Sequence, residues 1–193
     1  MGDREKDREH GRVDLRALDL AAGAGTRLDL EVAPEDVSVG GQRYAVRPVP
    51  VPVRVDLSLS PSGWLFRLRF AASVAGPCVR CLAEARVALE IDTREFAASA
   101  RPPGAPFDDD LDSEYVASER LAVTAWVRDA IVEVLPDVIV CREGCAGLCP
   151  TCGADLNAGA CGCPDEAPID PRWGPLAALA DRLPEDPGGS TAG

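Results

Sequence analysis

From about residue 51 to residue 94 the chain alternates apolar and polar side chains with a period of two. Val51, Val53, Val55, Leu57 and Leu59 fall on one side of an extended chain, against Arg54, Asp56 and Ser58 on the other. A second run places Trp64, Phe66, Leu68, Phe70, Ala72 and Val74 on one face and Leu65, Arg67, Arg69 and Ser73 on the opposite one. Ser60-Pro61-Ser62-Gly63 between them has the composition of a hairpin turn. A third run sets Val87, Leu89 and Ile91 against Arg86, Glu90 and Arg94. These segments predict an antiparallel meander with one buried face. Val13-Asp14-Leu15 and residues 28–32 are candidate short strands of the same sheet.

The period changes further on. Val123, Trp126, Val127, Ala130, Ile131 and Val134 are spaced as one face of a helix, with Ser118 as its expected cap and Pro136 as its stop. That stripe is wide enough to cover one face of the meander, and Trp126 reads as core. Trp173, Leu176, Ala180 and Leu183 suggest a short amphipathic C-terminal helix. The expected fold is therefore α+β: an antiparallel β-meander packed by one main helix, with a cysteine-rich zinc-binding loop and a short C-terminal helix. Residues 1–11 and 184–193 read as disordered tails around a single domain spanning 12–183. Residues 100–114, with Asp108-Asp109-Asp110, read as a mobile acidic loop.

Composition narrows the class. At 46% hydrophobic residues the 193-residue chain can bury a core. Its apolar stretches fall short of the roughly 18 residues of a membrane span. The opening MGDREKDREHGR has neither the apolar region of a secretory signal nor the acid-poor composition of a transit peptide, so a cytoplasmic location is expected. His10 is the one histidine. This removes Ser-His-Asp and Cys-His catalysis and any histidine-ligated zinc.

The net charge of −12 is unevenly spread. Residues 41–101 carry 9 basic and 5 acidic groups, whereas residues 102–193 carry 5 and 17. All the basic groups of the middle segment are arginines, whose planar fork suits phosphate, although one lysine in the whole chain also fits a genomic composition bias. In the meander, Arg54, Arg67, Arg69, Arg86 and Arg94 share the solvent face, as a nucleic-acid-binding surface or as solubilising charge.

Eight cysteines in a cytoplasmic chain call for a role other than disulfides. Cys78 and Cys81 form one C-x-x-C pair; 59 residues later come Cys141, Cys145, Cys149, Cys152, Cys161 and Cys163, making residues 141–163 the cysteine-rich loop. Two C-x-x-C pairs have the spacing of zinc knuckles, and eight thiolates make two all-sulfur structural sites. Reach favours a local site from Cys149, Cys152, Cys161 and Cys163. Cys78 and Cys81 would then meet Cys141 and Cys145 and staple sheet to helix. The alternative pairs 78/81 with 149/152 in zinc-ribbon manner. Neither pair has the strand-helix setting of a thioredoxin-like motif, and no His-x-Glu segment supports a zinc deaminase. A four-thiolate zinc has no open position, so no enzyme is expected.

The segments CVRCL (78–82), CxxxCxGLCPxCGxxLN (141–157), CxC (161–163) and DPRWGPLAAL (170–179) resemble the YceD family, the large ribosomal RNA subunit accumulation proteins, also catalogued as a domain of unknown function. The resemblance implies a non-enzymatic factor for large-subunit rRNA accumulation or ribosome assembly. Ribosomal RNA or a large-subunit ribosomal protein would be its partner, with neither membrane nor small-molecule substrate. By position, the family's cysteine motifs fall on all eight cysteines. A zinc- or thiol-based redox sensor is the competing function, in which thiolate oxidation releases the metal.

Overall fold

The period-two segments become the longest strands of the protein. The computed structural model describes residues 11–98, 113–164 and 172, and the chain divides between Gly147 and Leu148 into two compact units.

In the first unit, strands β1 (Arg12–Asp14), β2 (Gly25–Val32), β3 (Val37–Val39), β4 (Gln42–Arg47), β5 (Val51–Ser60), β6 (Gly63–Pro77), β7 (Glu84–Ala98), β8 (Val116–Ala117) and β9 (Arg120–Ala122) precede one helix, α1 (Val123–Val134). Strands β5, β6 and β7 form the expected antiparallel meander. Along one edge β6 pairs with β7 from Gly63 to Pro77; along the other it pairs first with β5 and then with β4. Strand β2 extends the sheet beyond β5, and β3 extends it beyond β4, giving six strands.

Alternation decides what is buried. Val51, Val53, Val55, Leu57, Phe66, Leu68, Phe70, Ala72, Val74, Leu89 and Ile91 all enter the core. Burying each large apolar side chain is worth roughly 1.5–3 kcal/mol relative to exposure. Helix α1 packs on β7 and β1 and contributes Val123, Trp126, Val127, Ala130 and Ile131 to the same core.

Several local expectations are corrected. Residues 13–15 do not join the main sheet: β1 pairs with β9 in a separate three-stranded sheet, β1-β9-β8. Ser118 does not cap the helix. Ser118 (φ 51) and Glu119 (φ 60) are instead the two left-handed residues joining β8 to β9, and the helix starts at Val123 after Ala122, without a side-chain cap. The Gly11 carbonyl accepts from the Thr124 N–H at 3.2 Å, supplying one missing partner from outside the helix. Val134, at the end of the stripe, is exposed. The acidic run around Asp108, the proposed C-terminal helix and both tails lie outside the described residues, Gly11 excepted.

The second unit, among its described residues, has no strand beyond the isolated bridge Leu148–Asp155, and Arg172 has 3-10 helical conformation. Cys149 is its one buried residue among those described.

Candidate metal centres

The turn joining β6 to β7 is itself the first C-x-x-C segment. The ladder closes at Pro77 opposite Glu84, and residues 78–83 make the reversal. Within it the Cys78 N–H donates to the Ala83 carbonyl at 2.7 Å, and the Leu82 N–H to the Cys78 carbonyl at 3.0 Å. The Arg80 N–H points at the Cys78 sulfur from 3.4 Å. Two longer links bring the chain that follows α1 to this turn. The Val79 N–H donates to the Ile139 carbonyl at 3.0 Å, and the Arg80 guanidinium to the Cys145 carbonyl at 2.9 Å.

As a result the four sulfurs of Cys78, Cys81, Cys141 and Cys145 lie within 4.8 Å of one another. Cys78 and Cys145 are 3.8 Å apart, Cys81 and Cys141 3.5 Å. A tetrahedral ion with metal–sulfur bonds of about 2.3 Å sets its sulfurs about 3.8 Å apart, whereas a disulfide needs about 2.05 Å. This cluster is part of the core: Cys78 and Cys145 are 0% and 1% exposed.

The second cluster is built in the second unit from one short segment. The Cys149 N–H donates to the Ala154 carbonyl and the Gly153 N–H to the Cys149 carbonyl, both at 2.8 Å. Asp155 Oδ1 accepts from the Asn157 N–H at 2.9 Å and from its side-chain amide at 2.7 Å, turning the chain back toward Cys161. The sulfurs of Cys149, Cys152, Cys161 and Cys163 also lie within 4.8 Å of one another. The partition favoured by reach is thus the one the geometry adopts. The zinc-ribbon pairing of 78/81 with 149/152 is not formed.

Each cluster has one cysteine poised to ionise. The Cys152 and Thr151 N–H groups lower Cys149 to about 6. Burial works against Cys78, but N–H groups of Cys81, Arg80 and Cys141 outweigh it and bring it to about 6. Their neighbours resist a second charge. Cys141 is pushed up to about 12 by its contact with Cys81 and by burial, and Cys163 to about 12 by its contact with Cys152 and by burial. A divalent cation removes this resistance, because it favours all four thiolates at once.

The arginines come together as expected, but with company. Register sets Arg54 opposite Arg69, Arg67 opposite Arg94, and Arg86 opposite Ala75, all on the face away from the core. Three aspartates interleave with them. Asp29 accepts from Arg54 at 2.9 Å, Asp92 from Arg67 at 2.7 and 2.5 Å, and Asp56 from Arg27 at 2.6 Å and from Arg69. Arg86 pairs with Glu84 at 3.0 Å. Arg27 and the three aspartates were legible as polar positions of their strands, yet only register puts them beside the arginines.

Fold and site define a mainly antiparallel β protein with one main helix and two four-cysteine clusters able to hold metal ions. The chain belongs to the YceD family: the model described as "Large ribosomal RNA subunit accumulation protein YceD" matches residues 66–180, which include all eight cysteines. Uncharacterized protein Mb2951c of Mycobacterium bovis and uncharacterized protein Rv2926c of Mycobacterium tuberculosis are each 34% identical to it over 112 residues, or 56% of this chain. The match spans about half (52%) of the length of those relatives. No solved structure matches. No helix among the described residues is long and apolar enough to cross a membrane.

Proposed function

We propose that this protein supports accumulation of large-subunit ribosomal RNA as a non-enzymatic binding module, stapled by two structural zinc ions. The observation that carries the reading is the convergence of all eight thiols into two sets of four, inside a family described by that role. Soft thiolates in sets of four suit zinc, which fills a tetrahedron of sulfur and adds its binding energy to folding. Cys78, Cys81, Cys141 and Cys145 would hold one ion, and Cys149, Cys152, Cys161 and Cys163 the other.

The partner, ribosomal RNA or a ribosomal protein of the large subunit, would meet the outer sheet face through Arg54, Arg67, Arg69, Arg86 and Arg94. Because Arg54, Arg67, Arg69 and Arg86 already hold carboxylates, binding phosphate exchanges one set of ion pairs for another. Affinity then depends on salt and on the shape of the partner rather than on bulk positive charge.

The test is zinc content of the native protein purified anaerobically without chelator, together with large-subunit rRNA levels in cells carrying Cys78→Ser and Cys81→Ser. Two ions per chain and reduced rRNA in the variant support the reading. A metal-free native protein, or unchanged rRNA, overturns it.

A further inference from the structure

The two cysteine clusters have the same ligands and different surroundings. In the first, Cys78 and Cys145 are nearly inaccessible and belong to the main hydrophobic core, against which the half-buried Cys81 and Cys141 also pack. Its ligands come from two places far apart in sequence. They are held by the backbone link from Val79 to Ile139 and by the Arg80 guanidinium on the Cys145 carbonyl. Reaching that ion means parting the β6–β7 turn from the segment after α1, which is an opening of the core itself.

In the second, Cys152 is exposed and Cys161 and Cys163 are half-buried; only Cys149, at 6% exposure, is covered. All four ligands lie within residues 149–163, closed by hydrogen bonds of one or two turns. No described residue of this unit belongs to the hydrophobic core. With Cys149 alone buried among its described residues, the segment 148–164 depends on its ion for order. Exposed ligands also let a competing ligand attack the bound ion directly, without prior unfolding.

We infer that the centre at Cys149, Cys152, Cys161 and Cys163 is an exchangeable metal site, and the centre at Cys78, Cys81, Cys141 and Cys145 a locked one. This rests on the two-zinc reading above and adds a regulation to it. Residues 148–164 are a conditional module, ordered when a thiophilic divalent ion is available and released when a stronger ligand takes it. The β-sheet unit stays folded throughout. Metal supply would then govern whatever contact the second unit makes, independently of the first.

The experiment is chelator challenge of the full-length native protein with excess EDTA. Released zinc is followed with a metallochromic indicator, and the sheet unit by its circular dichroism in the far and near ultraviolet. The expected result is two phases of one ion each, the first at least about tenfold faster and without change in the β-sheet signal. Full-length Cys152→Ser/Cys161→Ser should start with one ion and show the slow phase alone. Release of both ions in a single phase with loss of the sheet signal overturns the inference while leaving two zinc centres in place. So does a variant that retains the fast phase. Less than two ions before EDTA is added overturns the two-zinc reading, and the inference falls with it.

Discussion

Leu82 and Gly153 occupy the same place in two copies of one turn. Each follows the second cysteine of a C-x-x-C pair, each has a left-handed backbone (φ 62 and 72), and each donates its N–H to the carbonyl of the first cysteine. Glycine adopts that conformation without a side-chain clash; leucine does so at a cost of about 1–2 kcal/mol. Leu82 is also 62% exposed, so it recovers little by burial. Leu82→Gly should therefore raise the urea midpoint of the sheet unit, by the equivalent of about 1 kcal/mol. On the two-zinc proposal, Gly153→Leu should weaken metal retention at the second centre. Chemical denaturation and metal competition check the two halves separately.

The end of β6 that carries the first knuckle is braced by Tyr44. Its ring is fully buried, and its hydroxyl donates to the Pro77 carbonyl at 2.9 Å. Tyr44→Phe removes that one bond and should cost about 1 kcal/mol of stability in a denaturation experiment. Gly76→Ala should cost about 1–3 kcal/mol, since a Cβ there would sit 2.5 Å from the Tyr44 ring and 2.8 Å from the Arg43 carbonyl. An unchanged midpoint for both would remove Tyr44 as the brace.

Acid and base act on opposite groups. The hydrogen bond from Arg27, helped by Arg69, holds Asp56 below the usual carboxylate range, and Arg67 does the same for Asp92. Such groups stabilise the fold above their unfolded pKa and cease to do so as pH falls through the lowered folded value. Glu95 is raised, by burial first and then by the charges of Glu114 and Glu133, despite a hydrogen bond with Ser113. Its ionisation in the folded state is disfavoured, so stability declines as pH rises through its folded pKa. Asp56→Asn should flatten the acid limb of a stability–pH profile and Glu95→Gln the limb above it. Each is compared with the parent at every pH, so that thiolate protonation common to both cancels.

Charge reversal at Arg67 and Arg69 separates binding from folding. Both sit on the outer face in half-buried ion pairs, Arg67 with Asp92 and Arg69 with Asp56, so the reversal costs some stability, which a denaturation midpoint reads separately from binding. The Arg67→Glu/Arg69→Glu protein should keep its circular dichroism and, on the proposed function, lose affinity for ribosomal RNA or a large-subunit ribosomal protein. For an RNA partner, the salt dependence should fall by about one unit per arginine that contacts phosphate. Full binding by the folded variant would move the contact elsewhere.

Much of this was legible because it depends on local periodicity. The faces of β5, β6 and β7 follow from alternation alone, and the cysteine partition from loop length. The hairpin of β3 and β4 was missed although its signal was present: Gly40-Gly41, with φ of 56 and 78, is the two-residue turn that such hairpins favour. Its strands are short, with only Tyr44 and Val46 buried in β4, so alternation barely registers. The aspartates beside the arginines were hidden for another reason. Asp29 reaches Arg54 across 25 residues, and Arg67 reaches Asp92 across the same interval, by pairings that a single strand's pattern does not contain. Ser118 misled because a good capping residue is also a good turn residue, and the β8–β9 turn claimed it.

Placing a C-x-x-C pair able to hold a metal at the reversal between β6 and β7 bears on how the chain finds its fold. A slide of β7 along β6 by one residue would exchange inside for outside, sending Asp92 and Arg94 into the core and Leu89 and Ile91 into water. An ion gripping Cys78 and Cys81 would fix the length of the reversal and so index the whole hairpin, from Pro77–Glu84 at one end to Gly63–Ala98 at the other. The ion would thus act as the zero mark from which the two longest strands are counted.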